Sequence, residues 1–143
     1  MTNNLRIRNA KSKDRNAVFV MAKTMATSFV VEEESFNESF SEVLEDESAI
    51  CLVAETDKGI CGYLLGFDHK TFYANGRVSC VEEVYVKEDL RRTGIGKVLM
   101  ERFAAWGSER DSILVYLATR RASDFYEGID YEESALCFRK LLK

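Results

Sequence analysis

The chain has 143 residues, 46% hydrophobic and 31% charged, with a net charge of −4, which fits one globular domain over 1–143 built around one core. The acidic balance excludes a nucleic-acid binder held by a general basic field, and acidic groups facing a pocket would favour a cationic substrate. No apolar run is long enough to span a bilayer, and Met1–Arg8 lacks the apolar core of a secretory signal, so no membrane partner and a cytoplasmic location are expected.

Leu5 and Ile7 alternate with polar residues, as a first strand would. Ser12 stands where it would cap a helix with apolar positions at Val18, Met21, Ala22 and Met25. Val31–Leu44 carries a second helical pattern through Phe36, Phe40, Val43 and Leu44, with Glu and Ser between them. It is expected to cover the core loosely. Ala49–Glu55 and Ile60–Phe67 are apolar strands joined by the hairpin turn Thr56-Asp57-Lys58-Gly59. A turn centred near Asp57-Lys58 sets Cys51 opposite about Leu64, so the hairpin builds no Cys51–Cys61 disulfide.

Asn75-Gly76 is the strongest turn dipeptide in the chain and leads into a strand over Val78–Val86. A helix from Gly94 to about Trp106 follows, then a strand Ile113–Leu117, a short helix near Ala122–Glu127 and a last strand Tyr131–Phe138. The order is β-α-α-β-β-β-α-β-α-β, a mostly antiparallel front half followed by a βαβ unit. Cys51, Cys61, Cys80 and Cys137 show no close pairing and lie in apolar runs, so they read as buried core residues. With a single histidine they assemble no standard zinc site, and no metal is expected.

The chemistry concentrates after Val86. The polar loop Lys87-Glu88-Asp89-Leu90 leads into Arg91-Arg92-Thr93-Gly94-Ile95-Gly96-Lys97, at the start of a helix with apolar positions Ile95, Val98, Leu99, Phe103 and Trp106. A helix start offers unpaired N–H groups and the positive end of the dipole, which favour an anion. Gly94 and Gly96 let backbone approach a phosphate without an intervening Cβ, and Arg91, Arg92 and Lys97 add positive charge. A Walker A loop needs Gly where this chain has Arg91, and Ser or Thr where it has Val98. The dinucleotide fingerprint needs a third Gly where this chain has Leu99, and an acid about twenty positions on. Both motifs fail, and a diphosphate at the helix start remains.

The Arg-x-x-Gly-x-Gly run resembles the acyl-CoA loop of the GNAT superfamily of N-acetyltransferases. A second segment, Ala122-Ser123-Asp124-Phe125-Tyr126-Glu127-Gly128-Ile129-Asp130-Tyr131, is similar to that family's Ala-x-x-Phe-Tyr-x-x-x-Gly-Phe/Tyr stretch. Glu88 replaces a frequent Pro, and Asp130 stands where Gly is usual, a residue that tolerates a left-handed backbone better than most. The resemblance implies an α/β (α+β) acyl-CoA N-acyltransferase fold: a central mixed, mostly antiparallel sheet, about four flanking helices and a splayed parallel strand pair. It also implies acetyl-CoA as cosubstrate, held by Val84, Tyr85 and Val86 along the pantetheine arm and by Arg91, Arg92, Thr93, Gly94, Ile95, Gly96 and Lys97 at the pyrophosphate. An amide near Val84 would polarise the thioester carbonyl.

In the same comparison Tyr126 matches the general-acid tyrosine that protonates the departing thiolate, and Glu82 matches a glutamate that holds or deprotonates the amine. Strict strand alternation lets only one of Glu82 and Glu83 face the cleft. It puts Glu82 on the side of Val84 and Val86, with Glu83 the fallback. Phe72 and Tyr73 are candidates for the wall of the acceptor pocket, or for a lid without chemistry. His69 reads as an exposed loop residue and Trp106 as core. The expected reaction is acetyl transfer from acetyl-CoA to a primary amine of a small molecule. A protein or peptide acceptor and a non-catalytic acyl-CoA-binding module are the alternatives. A homodimer is expected by analogy alone.

Overall fold

The computed structural model describes residues 4–143. Its frame is one sheet of five strands in the order β1 (Arg6–Asn9), β2 (Ala49–Thr56), β3 (Gly59–Thr71), β4 (Gly76–Val86) and β5 (Val115–Leu117). The first four strands pair antiparallel and β5 joins β4 in parallel. This is the mixed, mostly antiparallel sheet expected from the sequence. The β2–β3 turn closes over Gly59, at φ +109°, and the β3–β4 turn over Asn75 and Gly76, both at positive φ, the backbone that these turn residues adopt readily. Cys51 lies opposite Leu65, one position from the expected partner, so the turn does keep it away from Cys61.

Two helices cover one face of the sheet, α1 (Arg15–Met25) and α2 (Glu33–Glu45). Val18, Met21 and Ala22 from α1 and Phe40 from α2 pack on Cys51, Val53 and Tyr63. Phe36 lies 5.3 Å from the ring of Phe19 and 5.5 Å from that of Phe40, so α2 is tied into the core rather than laid loosely over it. Ser12 does not cap α1: it opens a short 3-10 turn, Ser12–Asp14. The buried Asp14 takes over the polar work at this end. Its carboxylate accepts from the Lys11 amide and from Arg8, and the Arg8 hydrogen bond holds its pKa below the ordinary carboxylate value.

The other face is covered by α3 (Ile95–Glu109) and α4 (Ser123–Glu127). Helical spacing carries Ile95, Leu99 and Phe103 onto one stripe of α3, and each is at most 1% exposed. Trp106 continues that stripe, stacked on Phe103 at 5.5 Å. The groove that receives Phe103 exists because position 66 is glycine. A Cβ there would fall 2.2 Å from the Phe103 ring. Gly66→Ala is therefore expected to destabilise the protein by about 1–3 kcal/mol through overpacking, read as a lower denaturant midpoint at unchanged m-value.

Asp68 is an acid within an apolar strand, with a fully buried side chain. Arg77 (3.0 Å) and Arg110 neutralise it, and Arg110 also stacks over Trp106. The pairing satisfies a buried charge that would otherwise be costly, and it clamps the end of α3 to β3 and β4.

Two further expectations are corrected. Tyr131–Phe138 forms no strand: the chain is packed as far as Tyr131 and then runs exposed to Lys143. A run of apolar residues becomes a strand only where a partner edge takes it up, and here none does. Cys137 lies in that exposed tail and Cys80 is half-buried, so only Cys51 and Cys61 are the buried core cysteines.

Candidate active site at the end of β4

The site is built where β4 and β5 part. β5 pairs with β4 only from Ser79 to Val81, opposite Val115 to Leu117, yet β4 continues to Val86. The stretch 82–86 therefore presents main-chain groups on that side with no strand against them among the described residues. An extended ligand with amide groups can pair there as an added strand would.

The turn that follows is held from within. The Arg91 guanidinium donates to the Val86 carbonyl at 2.9 Å and lies 5.1 Å over the Tyr85 ring. The Thr93 hydroxyl donates to the Leu90 carbonyl. Arg92 and Gly94 take positive φ, +66° and +95°, and Gly94 is the residue that opens α3, where the Val98 amide bonds its carbonyl. A Cβ on Gly94 would meet nothing within 4 Å, so the space above the turn is open. The amides of the first helical turn, Ile95, Gly96 and Lys97, have no intrahelical partner. The first turn of α3 carries no acid, and exposed Arg91, Arg92 and Lys97 surround it.

Gly96 connects this turn to α4. A Cβ at position 96 would stand 3.3 Å from the Phe125 ring and 3.9 Å from the Val86 side chain. Phe125 meets the ring of Tyr126 edge-on at 4.9 Å. Tyr126 itself is 9% exposed, in one cluster with Ile95, Leu99, Val84 and Val86. Burial, reinforced by Tyr131, raises the pKa of its phenol. The hydroxyl is thus protonated through neutral pH, as a proton donor must be. The turn after α4 holds Asp130 at φ +73°, the left-handed backbone anticipated for that position.

The two glutamates correct the sequence expectation most sharply. A β-bulge interrupts the β3–β4 ladder: Leu65 faces Glu83 and Gly66 faces Val81, leaving Glu82 without a partner. The extra residue breaks the alternation of sides. Val84 and Val86 pack toward α3. Glu83 lies on the α1/α2 face, where its carboxylate accepts a 2.7 Å hydrogen bond from the buried Tyr63 hydroxyl. Glu82 is exposed, and its charge reaches the Cys80 thiol and the Tyr116 hydroxyl. Glu83 thus stands opposite the side of Val84 and Val86, and the bulge takes Glu82 out of the alternation that would have grouped it with them.

Glu83 leaves its mark on its neighbours. Burial first and its negative charge second push the Tyr63 pKa upward, and the same causes push Cys51 up to about 12. Tyr63 and Tyr116 escaped the sequence reading. A tyrosine in an apolar strand looks like packing until the strand opposite it brings a carboxylate.

Phe72 and Tyr73 sit exposed at the β3–β4 turn, and Tyr73 is near enough to Tyr116 for its charge to act on that hydroxyl, as that of Glu82 does. His69 is exposed on β3, edge-on to Tyr116 at 6.5 Å. Among the described residues, no group of three or more His, Cys, Asp or Glu is placed to hold a metal ion, and no helix is long and apolar enough to cross a membrane.

Residues 47–133 match the family model for the acetyltransferase (GNAT) domain. Among solved structures, glucosamine-6-phosphate N-acetyltransferase from Arabidopsis thaliana is 19% identical, with a TM-score of 0.86 over 99% of this chain and 100% of that one. An aminoglycoside N-acetyltransferase solved in complex with CoA is 15% identical, with a TM-score of 0.86 over 100% of this chain and 98% of that one. A transcriptional regulator from Bacillus halodurans C-125 is 21% identical, with a TM-score of 0.88 over 97% and 100%. At these identities the likeness establishes the fold. No match is found among curated proteins.

Proposed function

Since the chain belongs to the GNAT family of acetyl-CoA-dependent N-acetyltransferases, we propose that it transfers acetyl from acetyl-CoA to the primary amine of a small molecule. The observation that carries this reading is a convergence at one end of β4. The open stretch 82–86, the Arg91–Gly96 turn and buried Tyr126, packed with Val84 and Val86, lie at that end, and Glu82 and Glu83 stand on the same stretch of strand, Glu83 on its opposite face. The diphosphate would rest on the Ile95, Gly96 and Lys97 amides with Arg91, Arg92 and Lys97 around it. The pantetheine arm would pair along Val84–Val86, and a β4 amide near Val84 would stabilise the developing oxyanion. The lone pair of the neutral amine attacks the thioester carbonyl; as the intermediate collapses the C–S bond breaks, the thiolate takes the Tyr126 proton, and the proton shed by the acylated nitrogen passes through solvent to restore Tyr126.

Glu82 is the better base of the two. It is exposed beside the gap, whereas Glu83 is engaged by Tyr63. Glu82 would hold the ammonium and accept its proton directly or through water, while Glu83 and Tyr63 shape the floor. Glu82→Gln is expected to lower kcat/KM about tenfold at neutral pH, below the usual range for a general base because the amine also loses its proton to water. The deficit should shrink as pH rises and the free amine becomes neutral unaided. A larger loss in Glu83→Gln than in Glu82→Gln would transfer the role to Glu83.

Two structural neighbours are named for aminoglycosides and for glucosamine-6-phosphate, which supports a small amine as the acceptor. The test is an acceptor screen with acetyl-CoA over amino sugars, aminoglycosides, polyamines, amino acids and peptides, read as a gain of one acetyl group by mass spectrometry. Acetylation of a small amine supports the reading. Acetylation confined to peptides would shift it to a protein acceptor, and acetyl-CoA binding without acetylation of anything would leave an acyl-CoA-binding module.

A further inference from the structure

Helices α1 and α2 cover the sheet over Cys51, Val53 and Tyr63, and the same face continues toward β5 as a row of open side chains. Val115 and Leu117 pack on the α3 side, so strand alternation turns Tyr116, between them, to the other face. Cys80 lies opposite Tyr116 in the β4–β5 register, and Phe67 lies opposite Cys80 on β3. His69, further along β3, brings its ring edge-on to that of Tyr116 at 6.5 Å. Tyr73 comes from the β3–β4 turn to within reach of the Tyr116 hydroxyl. Tyr116 is 43% exposed and Tyr73 75%, while Phe67 and Cys80 are half-buried. These rings, with a thiol at their centre, form one patch open to solvent.

We infer that this patch seats an aromatic ring of the acceptor, which makes the acceptor an arylalkylamine: a flat ring joined to a primary amine by a short carbon arm. The inference rests on the proposed acetyl transfer and names its substrate class. Exposed rings reward a flat ring by offset or edge-on packing, and the Cys80 sulfur adds a polarisable contact. Charge fixes the orientation. Glu82 follows Cys80 along β4, is exposed, and is the carboxylate whose charge reaches both Cys80 and Tyr116. Two strand residues span about 7 Å, the reach of a ring with a two-carbon arm. Glu82 also opens the stretch 82–86 that β5 leaves unpaired, where the acyl group would lie. Along β4 the order is therefore ring seat, carboxylate and acyl site, which matches ring, ammonium and thioester in the reacting pair. A polyamine would need a second acid at the far end of the patch, and an amino sugar a set of hydrogen-bonding partners. Rings and a thiol stand there instead.

The test compares kcat/KM for 2-phenylethylamine with that for spermidine and for glucosamine, using acetyl-CoA and the full chain. The wild type should prefer 2-phenylethylamine by about tenfold or more. Tyr116→Leu should reduce that preference about fivefold, mainly through KM, because ring packing is lost. Tyr116→Phe, which keeps the ring, should restore it. A wild type that acetylates spermidine or glucosamine as well as 2-phenylethylamine would overturn the substrate class and leave the acetyl transfer standing. An unaltered preference in Tyr116→Leu would overturn the ring seat in the same way. Amide NMR with 2-phenylethylamine separates the remaining outcomes. Shifts at Cys80 and Tyr116 without acetylation would uphold the ring seat and sink the transfer reading, and neither shifts nor acetylation would overturn the inference.

Discussion

Gly96→Asp is expected to weaken acetyl-CoA binding by about 100-fold or more while the protein stays folded. The effects of the substitution on folding and on binding differ in sign. An aspartate in the first turn of α3 complements the helix dipole and so favours the helix. The same charge occupies the place where the diphosphate would accept hydrogen bonds from the turn, and it repels the phosphates. The added side chain starts 3.3 Å from the Phe125 ring, a contact that yields by a few tenths of an ångström. Gly94→Val is the less clean variant, because φ +95° strains any β-branched residue there. Calorimetric titration with acetyl-CoA, beside a thermal melt, checks the prediction. Unchanged affinity in a folded Gly96→Asp variant would remove the turn from the binding site.

Tyr126→Phe should lower kcat by about 100-fold or more and leave acetyl-CoA affinity nearly unchanged, since a positioned general acid contributes roughly 10²–10⁴-fold. The substitution keeps the ring that packs against Phe125 and Tyr131, so the core survives and only the proton donor is lost. Burial raises the Tyr126 pKa, so in the wild type the donor state persists through neutral pH and is lost only as pH climbs past that raised value. A basic limb in kcat present in the wild type and absent from the variant would carry this signature. If Tyr126 serves packing alone, the variant turns over at the wild-type rate.

Local chemistry made much of the molecule legible before its fold. The β2–β3 turn, Asn75-Gly76 and the glycine turn before α3 are dictated by residues next to one another, and each lies where their backbone preferences put it. The stripe Ile95, Leu99, Phe103 likewise states its buried face through period alone. What the residues could not disclose depends on distant partners. The bulge at Glu82 arises from how β3 and β4 register over many residues, and nothing in Glu82-Glu83 says which carboxylate is extra. Tyr63 meets Glu83 only through that register. The contact of Gly96 with Phe125 joins two elements that are far apart in the chain. Residues Tyr131–Phe138 have the composition of a strand but take no partner from their own body, and pattern alone cannot report a missing edge.

Backbone amide NMR during a titration with acetyl-CoA tests the proposed location of the cosubstrate most directly. The largest shifts should fall on Val84–Val86 and on Gly94 through Lys97, with smaller ones at Phe125 and Tyr126 and none at the Asn75-Gly76 turn. Shifts confined to another surface, such as the groove between β1 and α3 lined by Leu5, Ile7, Val98 and Arg102, would contradict it.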